Sequence, residues 1–427
     1  MMFEKYDAYK DSGVEWLARI PANWSCIKMK FLYSDVSIKG RENAELLSVT
    51  QDRGVIPRAW VENRMVMPSG NLESFKYIQK GDFAISLRSF EGGLEYCYHD
   101  GIISPAYTVL KKKRNDLKEG YYKYLFKSKI FISELQTSIV GIREGKNISY
   151  EELRYSYLPI PSGTEQNKIS CFLDQKTSEI DQAIAIKEQQ IALLNERKQI
   201  VIQKAVTQGL DPNVPMKDSG LNGVGNIPQD WEIIKFKYLA KVRYGLGQPP
   251  RQLDNGLKII RATNIERGKI VEKGMLYIDP NDIPWDRNPT LNKDEIIVVR
   301  SGAYTGDSAI VTEEYAGCIA GYDMVATPFN CYPKFLSTVL LSHYVLYEQI
   351  YLLRMRSAQP HLNAEELNEL KIVVPPINQQ RLIANYIEKV ESDIGEAISL
   401  IKQQLEKLKE YKTTLINDAV TGKIKVA

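Results

Sequence analysis

The 427-residue chain is longer than one hydrophobic core usually serves, so two or more domains are expected. Its formal net charge is only +3 although 26% of its residues are charged, which excludes a globally basic coat for polyanions and makes any nucleic-acid surface local. Five cysteines, Cys26, Cys97, Cys171, Cys318 and Cys331, are an odd number without CxxC spacing, which argues against a disulfide framework or a zinc site and fits a reducing cytoplasm.

The N-terminal stretch MMFEKYDAYKDSG has no apolar signal core. The most apolar run, FLSTVLLSHYVLYEQIYLL from Phe335, is interrupted by His343, Glu348 and Gln349. A chain with no export signal and no membrane span is expected.

The cassette KDSGVEWLARIPANW from Lys10 returns as KDSGLNGVGNIPQDW from Lys217, 207 residues later. Without gaps, Lys10–Leu32 and Lys217–Leu239 share 11 identities in 23, where composition alone gives roughly one or two. The offset is 212 at LRSF (Leu87) and VRSG (Val299), and 214 from YYKYLFKS (Tyr121) and FLSTVLLS (Phe335) to the end of each copy. A repeat of this length dictates a repeated architecture.

In chain order, residues 1–162 form a first domain. Strand-like runs such as DFAISLRS and IISPAYTVL, broken by glycines and short helices, predict an α/β domain with a mostly non-parallel sheet. Residues 163–208 then form one long helix with Thr164 as its N-cap. Its apolar seam, which includes Ile180, Ile184, Ile191 and Leu194, advances by alternating fours and threes, the a/d spacing of a coiled coil.

Residues 209–376 repeat the domain with the runs EIIVVRS and MVATP. Residues 377–427 repeat the helix, with Asn378 as N-cap and Ile394, Ile398, Leu405 and Leu408 in its seam. Gly209 and Gly422 mark the two helix ends.

Connectivity makes the helices antiparallel if they pack, so the fold class is α+β: two α/β domains separated by a pair of long antiparallel helices, related by an internal pseudo-twofold duplication. An intramolecular hairpin or a homodimer zipper is the plainer use of these seams. Ala183, Ile186, Ala192, Ile383 and Leu400 lie on further apolar stripes that suit partner helices. The linker LDPNVPMKDSG after the first helix has its counterpart at the N-terminus, so the chain behaves as a permuted ring whose ends meet beside the first domain.

No catalytic constellation emerges. His99, His343 and His361 lie far apart without metal-ligand spacing, and no Walker loop or GxSxG elbow occurs. YGLGQPPR at Tyr244 holds a GxG without the flanking strand and helix of a nucleotide loop. SPAY at Ser104 is like the base-holding loop of amino methyltransferases but lacks its second proline, and a turn entering a strand explains it more simply.

The domain middles carry the residue types that touch phosphates and base edges. Arg88 with Ser89, and Arg300 with Ser301, end equivalent strands, and Tyr304 follows the second pair. Arg143 and Lys146, and at the equivalent place Arg356 and Gln359, sit in polar loops before the helices. Arg261 and Asn264 follow another strand. Salt bridges are the competing role for the arginines, and a solvated hairpin for the run KKKR at Lys111. A self-sufficient methyltransferase or nuclease with degenerate motifs, and a coiled-coil scaffold without a DNA role, remain open beside a DNA-reading protein.

The order of IPANW and IPQDW, GIISPAYTVL, GIREGKNISYEELRYSYLPIP and the helices ending AVTQG and AVTGKI resembles the DNA-specificity subunit of Type I restriction-modification enzymes, over essentially the whole chain. The resemblance implies two target recognition domains, each reading one half of a bipartite, asymmetric site on double-stranded DNA, and spacer helices that bind two methyltransferase subunits. It implies no catalytic residue, metal or cofactor on this chain: S-adenosylmethionine, ATP and magnesium belong to the methyltransferase and restriction-translocase partners.

Overall fold

The computed structural model describes residues 3–61, 72–140, 147–354 and 360–426. The chain forms two compact units, Met1–Glu188 with Lys402–Ala427, and Gln189–Ile401.

In the first unit the cassette is a hairpin. Tyr9–Asp11 pairs with Arg19–Pro21 in the register Lys10↔Ile20. The Asp11 side chain accepts the Gly13 N–H at 2.9 Å and Gly13 takes φ +67°, the left-handed turn conformation that glycine enters without steric cost. Ser25–Lys28 then pairs with Tyr157–Ile160, tying the end of the domain to its start.

Between these pairs lies an antiparallel four-stranded sheet of β1 (Tyr33–Asp35), β2 (Phe83–Ile85), β3 (Glu95–Tyr96) and β4 (Thr108–Lys112), in the order β1-β4-β2-β3. Aromatic side chains fill one face: Phe83 meets Phe126 edge-on at 4.8 Å and Tyr33 at 5.9 Å. Such T-shaped pairs place ring edges against ring faces and add to area burial.

A long helix α1 (Gly163–Gln208) follows. Its cap is Ser162 rather than Thr164: Ser162 Oγ accepts the Glu165 N–H at 3.2 Å, and the Glu165 carboxylate accepts from the Ser162 N–H at 3.4 Å. This reciprocal pair is a capping box spelled S-x-x-E.

The second unit repeats the plan. Met216–Asp218 pairs with Asn226–Pro228, Gly220 sits at φ +62° with its N–H on Asp218, and Glu232–Lys235 pairs with Lys371–Val374. Strands β5 (Ala240–Tyr244), β6 (Ile296–Val298), β7 (Ser308–Ile310) and β8 (Met324–Pro328) run in the order β5-β8-β6-β7, the topology of the first sheet. The middle adds a nine-residue strand, Gln252–Ile260, that pairs antiparallel with Leu276–Ile278 and parallel with Ile319–Ala320.

The second long helix, α2, covers Ile377–Val420. Gly209 at φ +78° and Gly422 at φ +71° follow the two helices. Each helix serves both units: α1 gives its first half to the first unit and its second half to the second, and α2 does the reverse.

Within each unit the helix halves run antiparallel, as the connectivity requires. Asp181 pairs with Lys412 at 2.6 Å in the first, and Lys198 with Glu391 at 3.8 Å in the second. The seam is the shielded stripe. Ile180, Leu405, Leu415 and Ala205 are buried, and Ile184, Ile191, Leu194, Ile394, Ile398 and Leu408 are half-buried. Of the residues expected on outer stripes, Ile186 and Leu400 are exposed, whereas Ile383 is buried in the second core because α2 starts against its own domain.

The chain ends meet in the first unit. The Lys425 N–H donates to the Glu4 carbonyl at 2.7 Å, and Tyr121 Oη donates to the Val420 carbonyl at 2.6 Å.

Candidate nucleic-acid interface

Strand β6 aims the chain into a loop that returns as β7, with the Val299 N–H on the Asp307 carbonyl at 2.8 Å. Arg300 begins that loop. Its N–H donates to Asp323 Oδ1 at 3.2 Å, its carbonyl accepts from the Leu362 N–H at 2.8 Å, and Ser301 bridges to His361.

Its guanidinium lies close to two tyrosine rings, 4.2 Å from the centroid of Tyr322 and 4.7 Å from that of Tyr244. Arg300 Nη2 is 3.5 Å from His361 Nε2, at the outer limit of a hydrogen bond. Tyr244 is itself anchored, its Oη accepting the Ala364 N–H at 2.9 Å. Both rings are partly exposed. Aromatic rings at these distances attract the guanidinium charge and restrict its motion. Tyr304, at the tip of the same loop, is 55% exposed.

Asp323 lies beneath. Burial pushes its carboxyl up to about 6, while the Arg300 N–H, the Arg300 charge and the nearby Ala262 N–H pull the other way.

Other expected contacts have different places. Asn264 is fully buried: its amide donates to the Val271 and Lys273 carbonyls at 3.2 Å, and its oxygen accepts the Arg261 N–H at 3.3 Å. It holds a turn together and does not face outward. Arg261 is half-buried and donates to the Gly274 carbonyl at 2.9 Å.

In the first unit Arg88 is exposed, but Ser89 is fully buried, its hydroxyl accepting the Ser86 N–H at 2.8 Å. Of that pair only the arginine is presented. Arg143, Lys146, Arg356 and Gln359 lie outside the described residues.

The run KKKR is tied down: Lys111 pairs with Asp82, Lys112 with Glu119 and Arg114 with Asp116, and Lys113 donates to the Lys30 carbonyl. SPAY is a turn into β4, with the Tyr107 N–H on the Ser104 carbonyl at 3.1 Å.

The duplicated basic doublet has diverged. Lys235 and Lys237 both pair with Glu369, and these two hydrogen bonds hold its carboxyl down to about 2. Lys28 and Lys30 instead lie over the exposed ring of Tyr155, at 5.9 and 5.0 Å. The sequence reading missed the cage of Tyr244, Tyr322, Asp323 and His361 around Arg300. The only local signal was an aromatic beside an acid in GYD, which is common in turns.

The fold and this surface define a class: a duplicated α/β protein that presents an arginine beside two tyrosine rings on one domain and an exposed one at the equivalent strand end of the other. A family model for the Type I restriction modification DNA specificity domain matches residues 228–410. The MjaVIII specificity subunit of Methanocaldococcus jannaschii, a Type I restriction enzyme subunit, is 25% identical over 341 residues, covering 76% of this chain and 75% of its own. The EcoBI specificity subunit of Escherichia coli is 21% identical over 366 residues, covering 83% and 76%.

A solved chain from a study of assembly and conformational transition in a type I R-M system superposes with a TM-score of 0.71 at 13% identity, covering 94% of this chain and 98% of its own. The HsdS subunit from Thermoanaerobacter tengcongensis gives 0.55 at 14% identity, covering 95% and 98%. The chain is thus similar to Type I restriction-modification specificity subunits over about three quarters of its length, and its residues 228–410 match the model of their DNA specificity domain.

Proposed function

We propose that the chain is the non-catalytic, DNA-reading subunit of a Type I restriction-modification enzyme, and that each α/β domain reads one half of a bipartite site. The observation that carries this is the duplication itself: one sheet topology occurs twice, each copy followed by a long helix and each presenting an arginine just beyond the equivalent strand. Arg300 with Tyr304, and Arg261, serve the second half-site, and Arg88 serves the first. Arg143, Lys146, Arg356 and Gln359 are further DNA-contact candidates from the sequence alone. Phosphate contacts set position and base contacts set sequence.

The partners are double-stranded DNA, two methyltransferase subunits on the long helices, and restriction-translocase subunits. S-adenosylmethionine, ATP and magnesium act on those partners, in the cytoplasm. Exposed apolar residues along the helices, Ile186, Leu193 and Ile200 on α1 and Leu400 on α2, support a helix-borne interface. No helix among the described residues is long and apolar enough to cross a membrane. The test is selection from randomised duplexes by the chain co-expressed with its methyltransferase. Enrichment of a two-part motif is expected, and failure to enrich one sinks the reading.

A further inference from the structure

The repeat writes one basic corner twice. In each unit a strand leads into a lysine doublet, Lys28 with Lys30 and Lys235 with Lys237, and the backbones around them match. Lys28 pairs with Tyr157 as Lys235 pairs with Lys371, and the Met29 N–H donates to the Ser156 carbonyl as the Phe236 N–H does to that of Leu370, each at 2.9 Å. Tyr155 therefore stands where the second unit has Glu369.

In the second unit the doublet is a carboxylate clamp: Glu369 accepts from Lys235 and, at 2.7 Å, from Lys237. In the first unit neither lysine meets a carboxylate among the described residues. They lie over rings, Lys28 at 5.3 Å from the centroid of Tyr157 and Lys30 at 5.0 Å from those of Phe31 and Tyr155. The rings attract the ammonium groups but carry no net charge, so both positive charges remain uncompensated. Arg154, the third cation of the corner, is already paired with Glu151 at 2.7 Å. Phe31 is 58% and Tyr155 50% exposed, so the corner offers two charges to an anion and ring faces to the apolar atoms around it.

Its place in the fold narrows the partner. Along β4, Lys112 pairs with Tyr33 and Thr108 with Ile85, so the doublet just before β1 lies at one end of the sheet and Arg88, just after β2, at the other. The β4 residues between those ends span roughly 13 Å. The corner is thus away from the base-reading end and close to the helix, because Tyr157–Ile160 runs from it directly into α1 at Gly163.

We propose that this corner docks an acidic segment of one methyltransferase subunit, whose carboxylate takes the place that Glu369 holds in the second unit. This rests on the reading above that methyltransferase subunits sit on the long helices. The second unit, neutralised by its own Glu369, makes no such contact, so the two methyltransferase subunits are held unequally.

The test uses the chain co-expressed with its methyltransferase subunit, with native mass spectrometry and sedimentation reading the occupancy of the two methyltransferase positions through a series of salt concentrations. In wild type one position is expected to weaken more steeply with salt than the other. Tyr155→Glu, which gives the first unit the carboxylate of the second, and the double variant Lys28→Gln with Lys30→Gln are each expected to weaken that position about tenfold and to remove its extra salt dependence. Either carries the test if the other does not fold. Glu369→Tyr is expected to tighten the other position by a similar factor and to make it salt-dependent, a gain that damage to the fold does not produce. Two positions that respond alike to salt, or variants that bind like wild type, overturn the proposal. So does an effect confined to DNA: if the first-unit variants keep both methyltransferase subunits and flatten the slope of log K against log salt for DNA, the anion is a phosphate. A wild-type chain that binds no methyltransferase subunit defeats the functional reading instead.

Discussion

Trp24 donates through Nε1 to Glu165 Oε1 at 3.1 Å, in the first turn of α1. Its ring also closes on Gly422 at the end of α2, where an added Cβ would come within 3.1 Å of it. Trp231 repeats the arrangement, donating to Gln379 at 2.8 Å at the start of α2 and lying against Gly209 at the end of α1. The IP-x-x-W cassette is therefore a joint: one tryptophan joins the start of the helix that leaves its domain to the end of the helix that arrives.

Trp24 is 1% exposed, so Trp24→Ala is expected to destabilise by about 3–5 kcal/mol, the range for large aromatic truncations. Trp24→Phe keeps most of the ring and loses the hydrogen bond to Glu165, a change of roughly 1–2 kcal/mol. Urea denaturation followed by circular dichroism ranks the two. Equal midpoints for Ala and Phe show that the joint does not depend on the buried ring.

Gly422 and Gly220 separate backbone strain from packing. Both have positive φ, +71° and +62°, and an alanine there carries roughly 1–2 kcal/mol of left-handed cost. At Gly220 the added Cβ meets nothing within 4 Å, while at Gly422 it lies 2.5 Å from Pro21 Cγ. Gly422→Ala is expected to melt lower than Gly220→Ala, the excess being an overpacking term of about 1–3 kcal/mol. Equal melting temperatures contradict a close seat for α2 on the first domain.

The architecture was legible because the repeat, the heptads and the terminal glycines are signals in residue order. Sites depend on side-chain direction, which residue order does not carry. Ser89 and Asn264 illustrate the loss: a short polar residue after a strand reads the same whether it faces DNA or holds a turn, and both hold turns. Arg300 was identifiable as an arginine at a strand end. Its cage was not, because Tyr244, Tyr322 and His361 come from three separate stretches. The first long helix is capped by Ser162 and not Thr164, and Pro161 and Gly163 on either side of Ser162 conceal that S-x-x-E cap in the sequence.

Glu95 sets a pH dependence in the first unit. It is fully buried on β3, and burial raises its carboxyl to about 7 against the opposing charge of Lys127, 2.6 Å away. A carboxyl raised on folding binds its proton more tightly in the native state, so stability falls as pH rises from about 4.5 to about 7, by up to about 3 kcal/mol. Lys127 also donates to the Gln51 and Gly92 carbonyls at 3.0 and 2.9 Å, and these bonds survive replacement of the acid. Glu95→Gln is expected to match wild type near pH 4 and to exceed it increasingly towards pH 7. Denaturation midpoints across that range check this, and parallel pH curves for the two proteins exclude it.

Arg300 and Arg88 test the division of labour between the domains. With the Tyr322 and Tyr244 rings 4.2 and 4.7 Å from its guanidinium, Arg300 carries planar, paired donors suited to the two acceptors of a guanine. Arg300→Ala is expected to remove about 1–3 kcal/mol of discrimination at one base of the second half-site and none in the first. Arg300→Lys should not restore it, because an ammonium offers neither the plane nor the paired donors. Arg88→Ala should act in the opposite half. Titrations of the assembled complex against cognate duplexes and single-base variants, repeated over a range of salt, measure both effects. If Arg300 binds phosphate instead, affinity for every duplex falls alike and the slope of log K against log salt flattens by about 0.9, and base discrimination then belongs to other residues.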